Sequence, residues 1–144
     1  MKIDPIVSEK ELNHVKKVLT TSKKDSSGLE IAINLLFMAK NNNIIVGLIE
    51  LVPISKKGVL IRQLLCKDQN TAKKLLNEAL MHAWELEYCA AFSDSNNPIF
   101  YNIGFVKIEN DKIHLPVDSK QILAYSLTYN GLETFIKETK YRLN

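Results

Sequence analysis

The residues most suggestive of chemistry lie in the stretch NNPIFYNIGFVKI (96–108). An Asn-Asn-Pro turn leads into an aromatic pair, Phe100 and Tyr101, and a Gly-Phe step, Gly104 and Phe105, then opens an apolar–polar alternation. A phenol so placed is either ordinary packing or a hydroxyl presented for proton transfer. Elsewhere the reactive residue types are scattered. Glu50 is the only acidic residue on the central strands, within GLIELVP. Arg62 alternates with Ile61 and Gln63 and reads equally as a cleft residue or an exposed strand residue. His82 falls on the polar face of a helix beside Glu78 and Glu85 and reads as surface, while His14 and His114 have no recognisable partners. Cys66 and Cys89 form no C-x-x-C and have no histidine at metal spacing, which argues against a metal site. Both read as buried free thiols, in keeping with a reducing, cytoplasmic setting.

Bulk properties set the frame. The chain has 144 residues, enough for one domain (1–144) with a single core. Its hydrophobic share of 46% and charged share of 24% are those of a globular protein. A net charge of +3, with lysines spread along the chain, argues against nucleic acid as the partner. The N-terminus MKIDPIVSEKEL lacks the apolar core of a signal peptide, and no apolar run approaches the length of a membrane span.

The elements that must position these residues follow from periodicity and turn chemistry. A short extended piece (2–7) precedes a helix, where Ser8 and Glu11 have capping-box spacing and Leu12, Val15 and Leu19 share a face. TTSKKDSSG then reads as a loop. Strands at INLLFMAK (33–40) and IIVGLIELVPI (44–54) flank Asn41, Asn42 and Asn43, a hairpin signal because asparagine tolerates positive φ. SKKG turns into a third strand, VLIRQLLC (59–66), to complete a meander. From 71 to 87 the period changes: Leu75, Leu76, Ala79, Leu80, Ala83 and Trp84 recur at helical spacing as a core stripe, with Thr71 as N-cap. YCAAF (88–92) is a short buried strand, followed by a short helical segment, strands at FVKIE and ILAYSLT, and a last helix capped by Asn130 and Glu133 that carries Leu132, Phe135 and Ile136. This order predicts an α+β domain, with a right-handed parallel crossover from VLIRQLLC through the long helix to YCAAF.

That order, together with FYNIGF, resembles the GNAT superfamily of acyl-CoA-dependent N-acyltransferases, whose signature after the fifth strand is F-Y-x-x-x-G-F. The resemblance runs from about residue 33 to 135. Gly47, Leu48 and Pro53 match a G-L-x-x-x-x-P segment of one branch, and Asn97, Pro98, Phe100, Tyr101, Gly104 and Phe105 match its D-P-x-Y-Y-x-x-F-G-F segment. The resemblance implies a mixed, mostly antiparallel sheet between helical layers (α/β/α) and acetyl-CoA, or another acyl-CoA, as co-substrate. It implies strand-four backbone at Leu64, Leu65 and Cys66 along the pantetheine arm. Further cofactor contacts are implied from Lys67, Ala72, Lys73, Lys74 and Asn97, with the fourth and fifth strands parallel and parting near Leu65 and Phe92. Tyr101 is by the same resemblance the general acid, and Glu50 the candidate base, against its plainer reading as a solvated strand residue.

Two departures accompany the match. The family's pyrophosphate loop, Q/R-x-x-G-x-G/A, corresponds here to CKDQNTAKKLL, which has no glycine and carries Asp68 where phosphate is expected. Tyr101 also stands three residues before Gly104 rather than four, so that either Phe100 or Tyr101 occupies the acid's slot. The leading expectation is an N-acetyltransferase acting on a small-molecule or peptide amine, possible as a homodimer. The competing one is a GNAT-fold binding or regulatory module with impaired catalysis.

Overall fold

In the computed structural model the described residues are 1–19, 35–115 and 117–143. The expected strand start at Ile33 and the loop at TTSKKDSSG fall in residues 20–34, outside them. The elements in chain order are β1 (Lys2–Pro5), α1 (Glu9–Leu19), β2 (Leu35–Asn41), β3 (Ile44–Pro53), β4 (Gly58–Cys66), α2 (Gln69–Glu85), β5 (Ala90–Ser93), α3 (Ile99–Ile103), β6 (Val106–Glu109), β7 (Gln121–Ser126) and α4 (Gly131–Leu143). The strands form one seven-stranded sheet in the order β1-β2-β3-β4-β5-β7-β6. β4 and β5 run parallel, whereas β1–β2, β2–β3, β5–β7 and β6–β7 are antiparallel. This is the mixed, mostly antiparallel α+β sheet expected.

Two compact units divide the chain: Met1–Val52 with Arg62–Ala79, and Pro53–Ile61 with Leu80–Asn144. In the first, the β2–β3 turn is made by Asn42 and Asn43, both at positive φ (51° and 66°), as the right-handed strand twist demands of a two-residue hairpin. Facing pairs in this ladder fix the two sides of the sheet. Met38 stands opposite Leu48, and Leu36 opposite Glu50. Leu36, Met38 and Leu48 form a buried cluster with Leu12 and Val15 of α1, so Glu50 also points to the α1 side. The intervening Phe37, Ala39, Ile49 and Leu51 are equally buried on the other side. There α2 comes so close that a Cβ on Gly47 would lie 2.6 Å from Leu75, 3.0 Å from the Cys66 sulfur and 3.1 Å from the Thr71 methyl. At the start of α1 the backbone N–H of Glu11 donates to Ser8 Oγ (3.1 Å), half of the expected capping box.

In the second unit, Leu60, Ala90, Phe92, Ile122 and Ala124 face Phe135 of α4, whose ring lies 4.8 Å from that of Phe92. Val59, Ile61, Ala91 and Leu123, on the alternate side, are buried as well. A sheet apolar on both faces is one with helices on both faces. α2 ends in a Schellman motif: the N–H of Tyr88 donates to the Ala83 carbonyl (3.1 Å) and that of Glu87 to the Trp84 carbonyl (3.0 Å). Glu87 takes the left-handed conformation this requires (φ 71°), a position that favours glycine. The start of α4 is capped by Ser126, whose hydroxyl accepts the Leu132 N–H (3.0 Å), rather than by the side chain of Asn130.

One expectation about α2 is corrected. Trp84 is 56% exposed, as is much of Met81 (47%), so neither is core. The stripe of Leu75, Leu76, Ala79, Leu80 and Ala83 already fills the inward arc, and Trp84, one residue and about 100° beyond Ala83, is turned outward. Two stability outcomes follow from the close approach and from the helix end. Gly47→Ala should lower unfolding free energy by about 1–3 kcal/mol in urea titration, because the buried Leu75 side chain, with the Cys66 sulfur and the Thr71 methyl, must give way to the methyl. Glu87→Gly should raise it by about 0.5–1 kcal/mol, as relief of the left-handed strain exceeds glycine's entropy cost.

Candidate functional site

The parallel ladder between β4 and β5 is short. It pairs Gly58 with Ala90, Val59 with Ala91, Leu60 with Phe92 and Ile61 with Ser93, and then stops. β4 continues for five more residues to Cys66. The parallel pairing expected of these strands is present, but it ends at Ile61, ahead of the parting near Leu65 that the sequence suggested. Over those last residues the strand also loses its alternation. Arg62 points to Glu50, on the α1 side, and Leu65 packs on the same α1-side cluster. Cys66 is turned the other way, toward Gly47 and α2. Two residues three apart on one face mark an irregularity between them of the kind a β-bulge makes. The segment is half-buried throughout, at Leu64, Leu65 and Cys66 alike. A strand edge beyond its ladder carries N–H and C=O groups in a row, which suits an extended amide-bearing ligand.

The next residues meet the start of α2. The expected N-cap, Thr71, is inside the helix and buried (6% exposed). Asp68 caps instead: its Oδ1 accepts the Thr71 N–H (2.7 Å), its Oδ2 accepts the Thr71 hydroxyl (3.1 Å), and its carbonyl accepts the Ala72 N–H (3.2 Å). The bond from the Thr71 N–H, then that from the Thr71 hydroxyl, holds the Asp68 carboxyl below its usual 3.8. Aspartate outranks threonine as a cap because it brings charge to the positive helix end. The anion at this helix start is therefore the chain's own. Ala72 is buried beneath it, so the small residue serves packing, while Lys67, Lys73 and Lys74 are exposed around it.

Glu50 departs from both readings the sequence offered. It is neither solvated nor open to a substrate: its side chain is fully buried, and its two oxygens accept from Arg62 Nε (2.6 Å) and Nη2 (3.0 Å). An ammonium group would have to displace a guanidinium to reach them. Arg62 is 38% exposed at its side chain, so the pair is buried at one end and open at the other. Removing Arg62 alone would take this two-bond pairing from a buried carboxylate and should destabilise the sheet.

In the second unit, α3 places its two aromatics differently. Phe100 is fully buried and meets Phe105 edge-on (5.0 Å between centroids, 78°), and Phe105 stacks on Tyr125 (5.2 Å, 26°). Gly104 makes the turn possible with φ 120° and donates to the carbonyls of Phe100 and Tyr101. Tyr101 is 46% exposed and free of that stack. Of the two residues competing for one role, the phenol is the one that solvent reaches. Asn97 is half-buried and spends its Oδ1 on the Ile99 N–H (3.0 Å), continuing a run in which Ser95 caps Asn97 and Ser93 caps Ser95. Its part is to start α3. Cys89 is buried and Cys66 half-buried; burial raises both thiols, Cys66 to about 11. His82 lies 3.8 Å from Glu85 on the outer side of α2.

No family model and no curated protein matches the sequence. Solved structures match it closely in fold. A GNAT family acetyltransferase from Elizabethkingia anophelis, with acetyl-CoA bound, superposes with a TM-score of 0.63 at 16% identity, covering 89% of this chain and 97% of that one. The aminoglycoside 6'-N-acetyltransferase from Enterococcus faecium gives 0.65 at 11% identity over 90% and 98%. An N-acetyltransferase from Staphylococcus aureus gives 0.64 at 18% identity over 88% and 97%.

The cap on α2 makes a direct test. Asp68→Asn keeps a capping side chain but removes its charge. If the helix start receives the phosphates of acetyl-CoA, as the sequence resemblance implies, affinity measured by calorimetry should rise several-fold, and more at low salt than at high. The same variant carries a pH signature. Asp68 has a folded pKa below 3.8, so its contribution to stability is complete above that value and is lost as the pH falls through the lower one. The stability difference between wild type and Asp68→Asn should stay constant near neutrality and shrink below pH 3.8.

Proposed function

We propose that this chain, which has the GNAT acetyltransferase fold, transfers an acetyl or other acyl group from acyl-CoA to an amine. The observation that carries the reading is the five-residue extension of β4 beyond its ladder, because it leaves backbone amides in a row where a pantetheine arm can pair with Leu64, Leu65 and Cys66. Bound acyl-CoA supplies the activated acyl group. The rest is the work of the chain. Backbone of β4 orients the arm, and Lys67, Lys73 and Lys74 attract its phosphates through screened charge. Tyr101 gives its phenolic proton to the departing sulfur and regains one from solvent, while the attacking nitrogen releases its own. No carboxylate is assigned as base, since both oxygens of Glu50 are held by Arg62; release to water serves instead. Asn97 acts indirectly, by fixing the start of α3 one turn before Tyr101.

The fit is uneven. It is good along β4 and poor at the phosphate end, where the glycine-less loop and the Asp68 carboxylate stand at the helix start that would otherwise receive an anion. Affinity for acetyl-CoA is therefore expected in the tens of micromolar to millimolar range, as an order of magnitude. The Asp68 cap is also the one specific observation that favours the second reading, a GNAT-fold binding or regulatory module in which catalysis is impaired.

Melting curves and turnover separate the two. Acetyl-CoA at about 100 times its dissociation constant should stabilise the fold by roughly 2.7 kcal/mol, a rise of several degrees that shrinks with added salt. Absence of any shift at low salt would favour the module. With a turnover assay in hand, Tyr101→Phe should lower kcat about 10²-fold or more and leave acetyl-CoA affinity within about 2-fold. Unchanged kcat would return Tyr101 to the role of a surface residue.

A further inference from the structure

Resting on the acyl-transfer reading, we propose that Arg62, held from behind by buried Glu50, is the docking point for a carboxylate carried by the amine acceptor. A fully buried glutamate in a β-strand is costly, and a well-packed apolar pair would stabilise the sheet at least as well. What the ion pair supplies that an apolar pair does not is direction. Glu50 occupies Nε and one N–H of Nη2, which locks the guanidinium plane and leaves the Nη1 side as the part available to the open end. A planar fork fixed in this way suits a second carboxylate, since little side-chain entropy is left to lose on binding.

The position of Arg62 selects the ligand. It is the first β4 residue past the last parallel pair, Ile61 with Ser93. It stands two residues, about 7 Å, from Leu64, where the pantetheine arm would end, but four residues, about 13 Å, from the end of β4 at Cys66, beyond which lie Asp68 and the phosphate end. An anion at Arg62 is thus not one of the phosphates of CoA; it belongs to the molecule that meets the acyl group. Arg62 also lies on the α1 side of the sheet, and α1 carries Glu9 and Glu11 in its first turn and Lys16 and Lys17 in its last. The class implied is an amine with a carboxylate a few bonds from its nitrogen, as in a free amino acid.

The test compares amino acids with the corresponding amino-acid amides, which lack the anion, with kcat/KM referred to the free-amine fraction of each because the amide's ammonium is the more acidic. Two readouts are taken: kcat/KM with acetyl-CoA, and melting temperature with the amine alone. The variants are Arg62→Lys, which keeps the charge and loses the fork, and the double variant Glu50→Leu with Arg62→Leu, which removes both members of the pair. Wild type should favour the free carboxylate by about 10-fold or more in kcat/KM, and the preference should fall to within about 2-fold in both variants, with the KM for acetyl-CoA little changed. Equal use of acid and amide by wild type, or a preference that survives in the double variant, overturns the proposal. If no amine is acetylated, the melting arm decides: stabilisation by acids but not amides, lost in the variants, upholds the anion site and overturns acyl transfer. No such stabilisation in wild type overturns the anion site itself.

Discussion

Four parallel backbone pairs, Gly58 with Ala90 through Ile61 with Ser93, are the constraint on which the proposed site depends. A parallel pair needs a crossover, and α2 is that crossover. Because the ladder is only four pairs long, the same strand serves two purposes. Its first half is sheet interior, buried on both faces at Val59, Leu60 and Ile61. Its second half, from Arg62 on, is an edge, and the irregularity between Arg62 and Leu65 turns side chains so that an ion pair and an apolar contact share one side. A longer ladder would have consumed the amides to which the proposed pantetheine arm is assigned.

Much of the fold was legible in the sequence because its signals are local. The Asn42-Asn43 turn, the Ser8 cap, the stripe from Leu75 to Ala83 and the placement of Phe135 each depend on a few neighbouring residues and a fixed period. What was not legible depends on partners distant in sequence. Glu50 looked like a solvated strand residue because nothing nearby answers its charge; Arg62, twelve residues on, does so across the strand pair. A lone acid and a lone base on strands joined by a short turn was the signal available. Trp84 was misplaced for a different reason. Helical period says which residues share a face, but not how wide the buried arc is.

The candidate site shows the same division. That Phe100 rather than Tyr101 joins the Phe105–Tyr125 stack is a matter of tertiary packing invisible to a motif. Asp68 was legible as a departure from the loop of the family the sequence resembles, but its role as the cap of α2 was hidden by Thr71, an equally good cap by residue type. That cap binds helix and loop into one rigid corner. It also means that the loop's structure no longer depends on glycine or on a bound anion, which is what a chain needs if it is to hold this fold while unliganded.

The burial of the two cysteines has a practical consequence. Thiol reagents attack the thiolate, and a thiol raised to about 11 is ionised in about one molecule in a thousand at pH 8. Cys66 is in that condition, packed between Gly47 and Thr71, and Cys89 is sealed in the core beside Ala90. The native protein should consequently be nearly silent toward disulfide reagents, so that any coloured product in a mixture containing this chain reports the small-molecule thiol set free and not the protein. A slow rise in that background would in turn be a sensitive measure of local opening around β4.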